Sequence, residues 1–116
     1  MRPEHADSTY GYLRTTGRIT GRPHEVEIWF APSDDVVYLL SGSGGRSDWC
    51  RNLLTEPVAT FTVDGTEYPV RGRAVTDPAE DALARRSVFE KYRERYAGDL
   101  VGWRDASAPF ALDPQA

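Results

Sequence analysis

Lysine, cysteine and methionine occur once each in this chain of 116 residues, and histidine twice. The lone Cys50 excludes an intrachain disulfide, and a reducing cytoplasm is the expected location. His5, His24 and Cys50 are the only soft ligands, and no two stand at i+3 or i+4, so no protein metal site is expected. The longest apolar stretches, such as Val36–Leu40, fall far short of the roughly 18 residues of a membrane span. No basic segment leading into an apolar run precedes Tyr10, and a cleaved secretion signal is not expected. The sequence has no G-x-x-x-x-G-K, G-x-G-x-x-G, H-E-x-x-H or G-x-S-x-G pattern. With 18 acidic and 14 basic residues the net charge is −4, which argues against nucleic-acid binding driven by counterion release.

What the chain does have is arginine: 13 of its 14 basic residues. Arg14, Arg18, Arg22, Arg46 and Arg51 fall beside turns in the first half. Arginine makes planar, bidentate contacts with phosphate and carboxylate that lysine cannot. A hydrophobic fraction of 40% is that of an ordinary folded domain. The length allows one domain, 10–116, behind a polar and aperiodic segment, 1–9, that is expected to fray. Any small-molecule site must then be built on one core, or completed by a second copy.

Tyr10, Tyr12 and Arg14 alternate with Gly11 and Leu13, and Gly17–Pro23 carries two glycines and a proline where the chain must reverse. The returning arm, 24–31, sets His24, Val26, Ile28 and Phe30 against Glu25, Glu27 and Trp29. Pro32–Asp35 reads as a turn, and Val36–Leu40 as a strand buried on both faces. Ser41-Gly42-Ser43-Gly44-Gly45 cannot sustain a regular element. Ser47 as N-cap, with Trp49, Cys50, Leu53 and Leu54 at helical spacing, predicts a two-turn helix over 47–54. Asp64-Gly65 between Val58–Val63 and Thr66–Thr76 is a strong hairpin signal. Asp77-Pro78-Ala79-Glu80 starts a helix expected to run to Tyr96 and to close at Gly98. Leu100–Trp103 can add a turn and Pro109–Leu112 a last short strand. Five or six mostly antiparallel strands with two helices exclude a doubly wound sheet and favour a small closed barrel.

The Ser41–Gly45 loop before a helix start can turn several backbone N–H groups toward one anion, with Arg46 and Arg51 on either side and Ser41, Ser43 and Ser47 as hydroxyl donors. The alternative is a glycine loop that merely lets the chain turn. Thr15-Thr16-Gly17-Arg18 and Gly21-Arg22 place hydroxyls and guanidinium groups round a second turn, or a solvated hairpin tip. Together the two loops suggest a ligand with phosphate or carboxylate at one end. Trp29, Tyr38 and Trp49 can offer a flat apolar wall for the other end, and Tyr38 or a water is a candidate proton donor.

At these loops the sequence resembles the deazaflavin-dependent nitroreductase family, split β-barrels related to pyridoxamine-phosphate-oxidase-like flavin-binding barrels. The similar residues are Thr15 to Pro23, Tyr38 to Gly45, Asp48-Trp49-Cys50-Arg51-Asn52-Leu53 with Pro57, and the tail from Trp103-Arg104 to Asp113. The resemblance implies a mainly β, mostly antiparallel split barrel that binds coenzyme F420, a deazaflavin with a phosphate and an oligoglutamate tail. It implies hydride transfer to quinones, nitro compounds or other conjugated acceptors. Thr16, Gly17, Arg18 and Gly21 would belong to the phosphate and tail region. Ser41, Ser43, Gly44 and Gly45 would flank the ring and linker, and Trp49, Arg51 and Asn52 would brace or contact the cofactor. Relatives often carry a basic residue where Ile19 stands, and their substrate-wall tyrosines do not align with Tyr92 and Tyr96. The resemblance also suggests a homodimer. The open alternatives are an FMN-dependent reductase and a non-catalytic binding or storage module for a planar cofactor or lipid-like ligand.

Overall fold

A computed structural model describes residues 1–115. Seven strands form one antiparallel sheet: β1 (Gly11–Thr16), β2 (Pro23–Ile28), β3 (Ala31–Ser33), β4 (Val36–Ser41), β5 (Val58–Val63), β6 (Thr66–Ala74) and β7 (Ala108–Pro114). Four helices accompany them: α1 (Pro3–Ala6), α2 (Asp48–Thr55), α3 (Pro78–Tyr92) and α4 (Leu100–Ala106). The order across the sheet is β2-β1-β5-β6-β7-β4-β3.

That order forces a curl. β2 and β3 lie at opposite ends of the sheet, and six steps of about 4.8 Å would separate them by about 29 Å if it were flat. Yet only Trp29 and Phe30 join them, and Ile28 and Ala31 can stand no more than about 11 Å apart along extended chain. The sheet therefore rolls up until its two edges meet, and the barrel stays split along the seam between β2 and β3.

Period-two alternation sorts the side chains into two cores. In β4, Val37 and Leu39 face the barrel interior with Leu13, Phe30, Phe61, Val63, Phe110 and Leu112. Tyr38 and Leu40 face outward, where α3 and α4 cover them with Ala84, Val88, Tyr92 and Leu100. Both faces of β4 are thus buried, as its continuous apolar run requires. Cys50 and Leu53 of α2 join the interior core. Gly72 lets the helix approach, since a Cβ there would stand 2.6 Å from Leu53 Cδ2.

The structure departs from the sequence expectations in several places. Residues 1–9 were expected to fray, but α1 forms there, His5 is buried and its Nδ1 lies 2.5 Å from the Tyr68 hydroxyl. Met1 also packs on the interior core. Pro32 and Ser33 belong to β3, paired with Val37 and Val36, and the turn shrinks to the two aspartates, with Asp34 at φ 53°. The long helix stops at Tyr92, four residues before Tyr96. Among the described residues α1 is an unexpected short helix, while the turn expected over Leu100–Trp103 forms as α4 and runs on to Ala106.

Candidate functional site

The turn between β1 and β2 is closed by Gly17 N–H donating to Arg22 O at 2.7 Å and Gly21 N–H donating to Gly17 O at 2.8 Å. Gly21 sits at φ 73°, a conformation open to glycine at no steric cost. Asn52 of α2 fastens this turn. Its Oδ1 accepts from Arg18 N–H at 3.1 Å and from Arg18 Nη1 at 2.8 Å, while its Nδ2 donates to Thr15 Oγ1 at 3.1 Å. Arg18 Nη2 also reaches Asp48 Oδ1 at 3.1 Å, at the start of the helix. Asn52 is 1% exposed, so these partners replace water entirely.

Three hollows follow β2. The first, about 210 Å³, is lined by Gly17, Arg18, Ile19, Thr20, His24, Asp48 and Asn52. The second, about 230 Å³, continues past His24 and Asp48 to Glu25, Val26 and Trp49. The third, about 390 Å³, begins at Glu27, Ile28 and Trp29 and is walled by Tyr10, Tyr96 and Trp103, with Leu40, Asp99 and Leu100 behind. From His24 to Trp29 this run extends about 16 Å along the strand.

Of the residues singled out in the sequence, Gly17, Arg18, Asn52 and Trp49 line the first two hollows. Thr16, Gly21 and Arg51 line none of the three. Arg51 is exposed on the flank of α2. Ser41, Ser43, Gly44 and Gly45 line none of the three either. The hydroxyls of Ser41, Ser43 and Ser47 bond one another at 2.8–3.0 Å. Ser47 occupies the N-cap position of α2 but makes no side-chain cap, its hydroxyl being spent on this cluster. Gly44 and Gly45 take φ 69° and 89°. Gly42 faces the indole of Trp103, where a Cβ would stand 3.0 Å from Nε1. The loop thus connects the helix start to the aromatic hollow.

Tyr38 is not a wall or an accessible donor. It is buried in the outer core, its hydroxyl donates to Glu80 Oε2 at 2.8 Å, and burial with that bond pushes its pKa to about 12. Tyr96, set aside in the sequence comparison, does line the aromatic hollow, as do Tyr10 and Trp103. These residues, with His24, were not recognisable as site residues. They come from distant stretches that only the barrel's curl brings together.

The donor set suits a long ligand that is acidic at one end and planar at the other. Arg22 is exposed and has no ion-pair partner among the described residues, and Arg18 flanks the same turn. Trp49, Trp29 and Trp103 supply flat apolar surface farther along. The residues present therefore fit a cofactor with a phosphate and a flat ring.

A family model for F420H2-dependent quinone reductase matches residues 6–99. No curated protein sequence matches the chain. Among solved structures, a conserved hypothetical protein from Mycobacterium tuberculosis is similar, with TM-score 0.77 and 21% identity over 100% of this chain and 82% of that one. An F420 reductase is similar with TM-score 0.68 and 18% identity over 97% and 92%. A FAD-binding protein from Mesorhizobium loti gives TM-score 0.68 and 16% identity over 96% and 84%. These likenesses show the split-barrel fold, and the family match gives the cofactor as coenzyme F420. The chain belongs to the F420H2-dependent quinone reductase family, a family of F420-dependent oxidoreductases.

Proposed function

We propose that this protein transfers a hydride between coenzyme F420 and a quinone, nitro compound or other conjugated acceptor, with the cofactor laid along β2. Three separate hollows that meet β2 at successive residues support this reading, because they set an arginine-bearing turn for an anion and aromatic surface for a ring at different points along the same strand. Bound there, F420 supplies the hydride chemistry, which is why no catalytic triad or metal cluster is required.

The protein's part is binding and orientation. Arg18 and Arg22, with the Thr16–Gly21 turn, take the phosphate and acidic tail. Asn52 would hold the turn in place for that tail, and Trp49 would brace the linker. The Ser41–Gly45 backbone lies beside the ring, with Ser41, Ser43 and Ser47 holding the loop by their mutual bonds. Trp29, Tyr96, Trp103 and Tyr10 form the acceptor end and offer it flat apolar surface. Arg51, exposed on α2, contributes by charge alone. A cytoplasmic homodimer completes the reading, and the similar solved structures include a domain-swapped dimer.

Titration of the purified protein with F420 and, separately, FMN tests it. Saturable quenching or a spectral shift with F420, followed by hydride transfer to menadione or a nitroaromatic, is the expected result. Binding of FMN alone would replace the cofactor assignment. Binding of F420 with no transfer to any acceptor would make the protein a carrier.

A further inference from the structure

The aromatic hollow has a construction that a neutral quinone does not need. Trp29 is its base, backed by Tyr92 stacked on it at 4.3 Å and 5°. Tyr96 and Trp103 stand nearly perpendicular to Trp29, at 5.2 Å and 80° and at 5.5 Å and 82°. Tyr10 adds a fourth ring. The charged side chains in the lining are both carboxylates, Glu27 and Asp99, and no lysine, arginine or histidine lines the hollow. Each carboxylate is held by one hydrogen bond, Glu27 Oε1 from the Tyr12 hydroxyl at 2.9 Å and Asp99 Oδ1 from Gly102 N–H at 2.9 Å.

Aromatic walls meeting at right angles, with carboxylates at the rim, are the arrangement that attracts an organic cation. The negative ring faces and the fixed charges act in the same direction, and the ring faces need no hydrogen-bond donor on the ligand. We propose that this hollow selects a positively charged nitrogen compound, a quaternary ammonium or an iminium or pyridinium-type heterocycle, over neutral or anionic ligands of the same shape. Placing the hollow at the acceptor end rests on the function proposed above and narrows its preferred acceptors to cationic conjugated ones, neutral acceptors of the same shape binding more weakly; the selection of a cation does not rest on it. If the hollow is the acceptor end, the charge preference fits the chemistry. For the iminium or pyridinium-type members of that class, a hydride supplied by the reduced deazaflavin would form a C–H bond at the carbon beside the charged nitrogen, with the C=N electron pair moving onto that nitrogen; a quaternary ammonium, which has no C=N bond, would bind without reacting. The product is a neutral amine, and no proton is drawn from the protein. Tyr38 is engaged elsewhere, with its hydroxyl on Glu80.

The test uses the cofactor-free protein, choline, and its uncharged carbon isostere 3,3-dimethylbutan-1-ol, followed by the indole N–H resonances of the three tryptophans. Choline is expected to shift Trp29 and Trp103 saturably while Trp49, which lies in another hollow, stays still. It is expected to bind roughly ten-fold tighter than the isostere. Glu27→Gln and Asp99→Asn should each lower choline affinity by about three-fold and leave the isostere unchanged. Equal affinity for the two ligands, no saturable shift, or a shift confined to Trp49 would overturn the proposal. Because no cofactor is present, failure here leaves the F420 titration unaffected, and failure of that titration leaves cation binding standing.

Discussion

Truncating Arg18 and truncating Asn52 should damage the protein in different ways, because the two side chains share a bond but not a burial. Asn52→Ala removes the acceptor of both Arg18 contacts and the donor to Thr15. Thr15 is 2% exposed, so its hydroxyl and the Arg18 amide lose partners that water cannot readily replace. Unpaired buried groups cost about 1–3 kcal/mol each, and the sum for these two is about 2–6 kcal/mol. That is a large share of the roughly 5–15 kcal/mol that holds a domain together.

Arg18→Ala keeps the backbone N–H bond to Asn52 but removes two side-chain contacts, the Nη1 bond to Asn52 Oδ1 and the pair with Asp48, whose side chain is 75% exposed. Because Asn52 Oδ1 still accepts from the Arg18 N–H, the stability cost should be about 1–2 kcal/mol, below that of Asn52→Ala. Its effect on F420 affinity should be the larger one, about 1.5–3 kcal/mol, or roughly 10- to 150-fold, the value of a charge-assisted bond to phosphate. Arg51→Ala should leave affinity within about two-fold, as an exposed charge outside the three hollows. Urea unfolding followed by tryptophan fluorescence and cofactor titration measure both quantities on each variant. Equal stability losses for Arg18→Ala and Asn52→Ala, or unchanged affinity in Arg18→Ala, would refute the assignment of the turn.

Three other perturbations have outcomes set by the structure. Arg73 grips Glu80 through both guanidinium ends, with Tyr38 donating as well, and these bonds lower the Glu80 pKa from 4.5 to about 2. A depressed carboxylate stabilises the fold above its unfolded pKa, so stability should fall as pH drops from about 4.5 toward 2, and Glu80→Gln should flatten that slope in acid denaturation. Tyr38→Phe should cost about 1 kcal/mol. Lys91 lies over the Phe30 ring at 3.5 Å and donates to Phe30 O at 2.8 Å, yet burial lowers its pKa from 10.5 to about 7. The unfolded chain binds the extra proton between those values, so stability should rise as pH climbs from about 7 to about 10.5, and Lys91→Met should abolish the rise. Gly72→Ala would drive a Cβ against Leu53 in the filled interior, and a loss of about 1–3 kcal/mol in urea unfolding is expected.

The strands were legible because alternation leaves a period that tertiary context rarely erases. Asp64 and Gly65 take φ 51° and 80°, the two positive values their residue types announced. β3 escaped notice because proline and serine mark turns, and only pairing to β4 makes three such residues a strand. The helix end was misplaced because Phe89, Tyr92 and Tyr96 keep helical spacing although α3 stops at Tyr92, and Tyr96 instead packs edge-on to Trp29. At the site, the arginine turn was readable because glycine and arginine advertise it locally. The serine loop was read as a set of donors for a ligand, but nearby hydroxyls can satisfy one another, and three do. Of the aromatic walls, Trp29 is readable as flat apolar surface, but Tyr10, Tyr96 and Trp103 come from distant positions that share no local signal, and only the rolled sheet brings them together.

The dipeptide Trp29-Phe30 spans the seam with its two rings in different worlds. Phe30 is wholly enclosed, edge-on to Phe61 at 5.1 Å, while Trp29 forms the base of the aromatic hollow. The two side chains turn about their own bonds, but they share one short backbone segment, so a substitution that shifts that segment moves the interior ring and the hollow's base together.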